Sequence, residues 1–238
     1  MFNEYPKEVF NTTSAENILK ELFELIQPKS VLDVGCGNGS WLKVFHKNYQ
    51  IEDILGVDGF YVPKDSLLIP LEKFYEADLS KVLELSRTFD LVLSLEVAEH
   101  LAEASADIFV ENLVNHGNTI LFSAAIPGQG GLRHFNEQYP SYWLKKFKQH
   151  GYDFYDLIRP KVWHQQEIMF WYRQNTFIVA NQQSVIAKNH QPTTWVDIVH
   201  PELFDRETVR ASTLEEGRAG IKTALASLKK SIATKFGF

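Results

Sequence analysis

The sequence predicts an α/β fold in which five parallel strands carry helices on both faces and end in an antiparallel element at one edge. Three observations predict it. Short apolar runs alternate with helical patterns between Val31 and Ala124, the first run empties into the glycine-rich string Gly35-Cys36-Gly37-Asn38-Gly39, and no helix-length pattern separates the last two apolar runs. Alternating strand and helix requires parallel neighbours covered on both faces, whereas strands without a crossover helix pair antiparallel.

Each element has its own signal. Thr13-Ser14-Ala15-Glu16 reads as a capping box, followed by the stripe Ile18, Leu19, Leu22, Phe23, Leu25, Ile26, which Pro28 stops. Strand patterns then fall at 31–34, 54–58, 74–77, 91–95 and 119–124, with helical ones from about 40, near 80–85 and at 103–115. A helix is expected over 139–150, with Gly151 as its stop, and then strands at 152–158 and 170–180. From Asn181 to His200 the chain turns polar and reads as a connector. Beyond it Leu214, Ile221, Leu225, Leu228 and Ile232 share one helical face with Lys222, Lys229 and Lys230 nearby, a face suited to docking on its own domain or on a second copy. The expected organisation is a main domain over 1–180 and a linker with a C-terminal amphipathic helix over 181–238.

Composition narrows the partners. With 238 residues and 45% hydrophobic content one sizeable core is expected, and a net charge of −6 gives no footprint for a nucleic-acid backbone. No apolar run is long enough to span a bilayer and Met1-Phe2-Asn3-Glu4-Tyr5 offers no signal core, so a cytoplasmic location is the expectation. The single cysteine, Cys36, lies inside the glycine loop and reads as a small packing residue, with no histidine near it in sequence.

The loop is where chemistry begins. Glycine permits positive φ and close approach of a ligand to the backbone at the partly positive helix N-terminus. A dinucleotide fingerprint starting at Gly35 needs glycine at position 40, where this chain has Ser40. The chain instead reads Asp33-x-Gly35-x-Gly37-x-Gly39, and an acid at the strand end suits a cationic ligand such as S-adenosylmethionine. Asp58 closes the next strand 23 positions after Gly35, close to the roughly 20-residue interval that sets an acid against a ribose diol. Phe60 and Tyr61 are placed to flank an adenine, Asp78 and Leu79 to read its edge, and the carbonyls of Ser94, Leu95 and Glu96 to accept from an ammonium.

Taken in order, Val31 to Gly39, Gly56 to Asp58, Ala77 to Leu79 and Phe89 to His100 resemble the successive motifs of the class I S-adenosylmethionine-dependent methyltransferases. The string Leu95-Glu96-Val97-Ala98-Glu99-His100-Leu101 is similar to the small-molecule branch. The resemblance spans about residues 14–180. It implies a Rossmann-like sheet of seven strands with the last reversed, methyl donation with S-adenosylhomocysteine as product, and cofactor contacts at Asp33, Gly35, Cys36, Gly37, Trp41, Asp58, Gly59, Phe60, Asp78, Leu79, Ser94, Leu95 and Glu96.

The acceptor is expected over the polar segment 127–138. His134 is the leading base, with His100 second and Glu137 or Glu99 to orient the imidazole. Arg133, Asn136 and Gln138 offer hydrogen bonds, Tyr139, Tyr142 and Trp143 packing surfaces, and His164 and Arg173 reach from the terminal hairpin. His134 and Glu137 stand three apart, but no compact cluster has metal-ligand spacing, so no metal is expected. The expected activity is O-methylation of a small polar metabolite such as a sugar or glycan precursor. Amine or carboxylate acceptors, a non-catalytic cofactor-binding partner subunit and a nucleotide-dependent oxidoreductase are the competing readings.

Overall fold

In a computed structural model, which describes residues 12–229 apart from 217, 219, 222 and 224, the chain divides into two compact units that meet between Ile198 and Val199. The first holds a seven-stranded sheet in the order β3-β2-β1-β4-β5-β7-β6. Its strands are β1 (Ser30–Val34), β2 (Asp53–Asp58), β3 (Phe74–Glu76), β4 (Leu91–Leu95), β5 (Thr119–Ser123), β6 (Tyr152–Tyr155) and β7 (Phe177–Asn181). β1 to β5 run parallel, and β7 is antiparallel to both its neighbours, so the reversed strand lies one place in from the edge.

Alternation along the strands sorts side chains between two apolar clusters, one on each face. Val31, Leu91, Leu93, Leu121 and Ile178 pack with α1 (Thr13–Phe23) and α2 (Ser40–Tyr49). Leu32, Val92, Ile120, Phe122 and Val179 pack with α3 (Ala106–Val114) and α4 (Pro140–Gln149). Fully burying one such side chain contributes about 1.5–3 kcal/mol. Helix ends follow local chemistry: α4 opens with Pro140 in its first turn, and Gly151, at φ +79°, follows its C-cap His150.

Four expectations differ from what is observed. The N-cap of α1 is Thr12 rather than Thr13, and its hydroxyl bonds Glu16 Oε1 at 2.7 Å instead of a backbone N–H, so no capping box forms; the helix also ends at Phe23, well before Pro28. No helix forms over 80–85, because Asn112 bonds the Leu83 N–H and the Lys81 carbonyl, and His116 the Leu85 N–H, holding the segment extended against α3. The run from Phe170 begins as α6 (Phe170–Asn175), and β7 starts only at Phe177. The connector is more firmly tied than its polarity suggests. Ile186 of α7 (Val185–Asn189) and Val196 are buried, Thr193 N–H bonds the Phe154 carbonyl, and Asp197 accepts the Ser141 N–H.

In the second unit α8 (Pro201–Glu215) is capped by the His200 side chain, which accepts the Glu202 N–H. Leu214 belongs to α8, and Gly220 at φ +76° interrupts the helix before residues 221, 223 and 225–229 are helical again, so the expected face is not one continuous helix; Ile221, Leu225 and Leu228 are exposed. Lys222, Lys230 and Ile232 lie outside the described residues. No described helix is long and apolar enough to cross a membrane.

Candidate active site

The carboxyl ends of β1, β2, β4 and β5 converge, as ligand sites do in open parallel sheets. Gly35, Gly37 and Gly39 take φ of +89°, +54° and +79°. A Cβ on Gly35 would stand 2.4 Å from Val97, and one on Gly39 2.9 Å from Ile69, so both the backbone angle and the space require glycine. The Asp58 carboxylate holds this loop: Oδ2 accepts the Gly37 N–H at 2.7 Å and Oδ1 the Gly59 N–H at 2.6 Å. The Tyr61 side chain also hydrogen-bonds this carboxylate, and its remaining lone-pair capacity faces the ribose hydroxyls expected there.

Asp33 sits beneath the loop, 3% exposed, and its Oδ2 has no hydrogen-bond partner. Burial, and then the charge of Asp58, push its carboxyl up to about 8. The same surroundings raise the Cys36 thiol, burial first, which leaves the residue its packing role. Trp41 is nearly buried, its ring edge-on to Tyr172 at 5.3 Å, and the Tyr172 hydroxyl, raised by burial, also feels the charges of Glu96 and Asp33. Phe60 is 82% exposed beside Tyr61, free to receive a flat ligand. Asp78 is engaged differently from the expectation. Its Oδ1 accepts the Ser80 hydroxyl at 2.6 Å and N–H at 3.0 Å, which holds its carboxyl below the usual range, and Leu79 is a core residue.

Ser94 and Leu95 end β4 in the buried interior, and Glu96 follows at φ +56° with its N–H bonded to the Ser123 carbonyl. Its side chain, not only its carbonyl, is the structural feature. Oε2 accepts from Gln129 Nε2 at 2.6 Å and Oε1 from Asn175 Nδ2 at 3.1 Å, while Asn175 also donates to Gln129 Oε1 at 2.8 Å. Burial raises the Glu96 carboxyl and these amides oppose the shift. This triangle ties β4, the loop after β5 and the end of α6 together. Gln129, Asn175 and Tyr172 were not anticipated, since 79 residues separate Glu96 from Asn175 and no spacing connects them; the one available signal is the polar string Arg173-Gln174-Asn175-Thr176 between two apolar runs.

The acceptor segment folds around Glu99 and Glu137. The Glu99 carbonyl accepts the N–H groups of Phe135 and Asn136 at 2.8 and 3.0 Å, and Glu137 accepts the Gly128 and Gly130 N–H groups at 3.0 and 2.7 Å. Glu137 Oε1 also bonds His134 Nδ1 at 2.9 Å, the orienting contact expected of it. His134 stands edge-on to His100 with 4.8 Å between ring centroids. His100 Nδ1 lies 3.2 Å from the Arg133 carbonyl, and burial, followed by His134, pushes its imidazole down to about 4, so it is neutral near pH 7. The Glu99 side chain is completely buried, neither oxygen has a partner of good hydrogen-bond geometry, and its carboxyl is raised by burial and then by Glu96, with the nearby backbone N–H groups of Glu99 and Ala125 opposing the shift. Donor atoms of Glu99, His100 and His134 all lie within 4.8 Å of one another, a compact cluster that spacing in sequence concealed.

The remaining acceptor residues separate into rim and interior. Arg133, in a left-handed conformation at φ +59°, and Tyr139 are exposed, and Phe135 beside them is 69% exposed. Asn136 is buried, its Oδ1 accepting from Gln138 Nε2 at 3.0 Å while its Nδ2 has no partner. Trp143 corrects the expectation: at 1% exposure it packs edge-on to Phe122 in the core and offers no surface to an acceptor. Arg173 is buried and donates to the Trp163 carbonyl at 3.2 Å, bracing the turn after α5 (Arg159–Val162), and His164 lies exposed in that turn, bonded to none of the cluster.

The comparisons agree with this architecture. A family model described as a methyltransferase domain matches residues 7–121, just under half of the chain. Two solved methyltransferase domains of the bacterial CtHen1 protein are similar: one at 19% identity and TM-score 0.53 over 72% of this chain and 98% of that one, the other at 24% and 0.50 over 60% and 87%. A magnesium protoporphyrin IX methyltransferase from Synechocystis PCC 6803, with S-adenosylhomocysteine bound, superposes with TM-score 0.52 at 15% identity over 73% of this chain and 84% of that one. No curated protein sequence matches the chain.

Proposed function

From a chain that carries a methyltransferase domain on the class I fold, we propose that it uses S-adenosylmethionine to methylate a hydroxyl group of a small polar acceptor, of sugar or glycan-precursor type. One observation carries the donor half of this reading: Asp33 is buried beneath the glycine loop with an oxygen that no donor meets. An uncompensated buried carboxyl is costly, and a cationic ligand removes the cost by pairing with it. The glycine cradle leaves no room for a Cβ, Asp58 presents lone pairs to a ribose, and Phe60 presents a ring to an adenine. When bound, the donor supplies a methyl group on a sulfonium.

His134 and Glu137 support the acceptor half. Glu137 fixes the His134 tautomer with the proton on Nδ1, so Nε2 is the atom left to take a proton from a hydroxyl. The exposed rings of Phe135 and Tyr139 and the polar ends of Arg133 and Gln138 suit a hydroxylated ring with apolar and polar faces. Incubation with S-adenosylmethionine and a panel of sugars and sugar nucleotides, followed by mass spectrometry, tests this. S-adenosylhomocysteine and an O-methylated product are expected, with His134→Ala losing turnover while still binding the donor. Product formed only from amines or carboxylates would overturn the hydroxyl assignment.

A further inference from the structure

The three donor groups at the acceptor end are arranged as ligands rather than as a hydrogen-bonded cluster. In such a cluster a buried carboxylate beside two imidazoles accepts their N–H protons, yet neither Glu99 oxygen accepts from an imidazole or makes any well-formed hydrogen bond. Both histidines instead place Nδ1 against another acceptor, His134 on the Glu137 carboxylate at 2.9 Å and His100 toward the Arg133 carbonyl at 3.2 Å. An imidazole whose Nδ1–H is held by a carboxylate or carbonyl turns the Nε2 lone pair outward, the arrangement that supports metal ligation. Glu96 lies close enough to act on Glu99 electrostatically.

We infer that Glu99, His100 and His134 bind a divalent first-row cation through one carboxylate oxygen and two imidazole nitrogens, with open positions for the acceptor. Their donor atoms already lie within 4.8 Å of one another, so an ion about 2.0–2.2 Å from each requires only side-chain adjustment. Two imidazoles with one carboxylate select manganese, iron, cobalt or zinc over magnesium, which prefers oxygen ligands and retained water. The cation also explains Glu99: a buried carboxylate approached only by the backbone N–H groups of Glu99 and Ala125 gains a charged partner. An acceptor hydroxyl coordinated at an open position releases its proton to water at a lower pH than it otherwise does, and vicinal hydroxyls fill two such positions. This deepens the proposed reaction, and rests on it only for what the cation does: His134 then serves as ligand in place of base.

The test separates the two. Chelator-treated full-length protein is titrated with Mn²⁺ alone, followed by loss of the free-ion electron paramagnetic resonance signal and by calorimetry, and donor binding is measured on the same samples. One site per chain is expected in the wild type, with binding at least tenfold weaker in Glu99→Gln, His100→Asn and His134→Gln. Donor binding by each variant certifies its fold. A wild-type protein that takes up no Mn²⁺, Co²⁺ or Zn²⁺ overturns the inference, and so does uptake unchanged in those variants that still bind donor. Turnover that persists in chelator would leave the methyltransferase reading standing with His134 as base, whereas metal uptake without turnover on any hydroxyl would preserve the site and remove the acceptor assignment.

Discussion

A carboxyl that ionises near pH 8 links donor binding to pH, and at Asp33 the sign follows from the direction of the shift. Its pKa in the fold lies above the unfolded value, so between pH 4 and 8 the folded protein holds the extra proton and loses stability as pH rises through that window. A cationic donor favours the ionised form, so its affinity should climb by up to about tenfold per pH unit from pH 6 and level off above about 8. Calorimetry across that range checks it. Asp33→Asn should move the two properties in opposite directions at pH 8, raising the melting temperature while weakening the donor at least tenfold and flattening the profile; a fall in both would assign Asp33 a purely structural role. Glu137→Gln should lower kcat with little change in donor affinity, because it releases the His134 ring and the Gly128 and Gly130 amides without touching the glycine loop. Single residues were legible where the backbone admits one type, as at Gly35 with its left-handed φ and no room for a Cβ. They were not where a group is engaged by a distant partner, as Trp143 is by Phe122 or Glu96 by Asn175.

Elements were legible in proportion to how far their own pattern decides them. The parallel strands read correctly because buried apolar runs between helices have one stable arrangement, and Gly151 ended its helix as expected because a left-handed C′ position favours glycine. The segment over 80–85 did not, since Asn112 and His116 of another element bind its backbone. Phe170 to Asn175 is rich in aromatic residues and therefore reads as strand, yet it curls into one helical turn and a half that brings Tyr172 and Asn175 to the donor end. The loop after β1 is the element whose backbone most constrains substitution. At Gly35, alanine would incur about 1–2 kcal/mol for its left-handed backbone and would also meet Val97 at 2.4 Å. Gly35→Ala should therefore lower the melting temperature and abolish donor binding. Adding Val97→Ala should restore part of the stability but not all of it, since the backbone angle is unrelieved; full recovery would show that crowding alone forbids the side chain.

Across the whole molecule one buried cation draws distant segments of the first unit together. Arg159 is 1% exposed and its guanidinium pairs with both oxygens of Asp156 at 2.9 and 2.7 Å, donates to the carbonyls of Gln174 at 3.2 Å, Val196 at 3.1 Å and Trp195 at 3.3 Å, and lies 3.9 Å over the Phe177 ring. The end of β6, the end of α6 and the returning connector are thus held by one side chain, which nothing in the spacing of the sequence singles out. Removing one partner of such a pair leaves a charge and several carbonyls without donors, so Arg159→Met should destabilise the protein by about 3–5 kcal/mol, a loss of roughly 10 °C in melting temperature for a chain of this size. Arg159→Lys should recover little, since an ammonium cannot reproduce the planar fork. The consequence extends to the site. Gln174 precedes Asn175, and Asn175 holds Glu96 and Gln129, so a loosened α6 end frees the triangle that joins β4 to the acceptor loop. At a temperature where Arg159→Met remains folded, hydrogen exchange should quicken around 193–197 and at 174–175 together, and KM for the donor should rise. Faster exchange confined to 193–197, with KM unchanged, would show that the clasp secures only the connector.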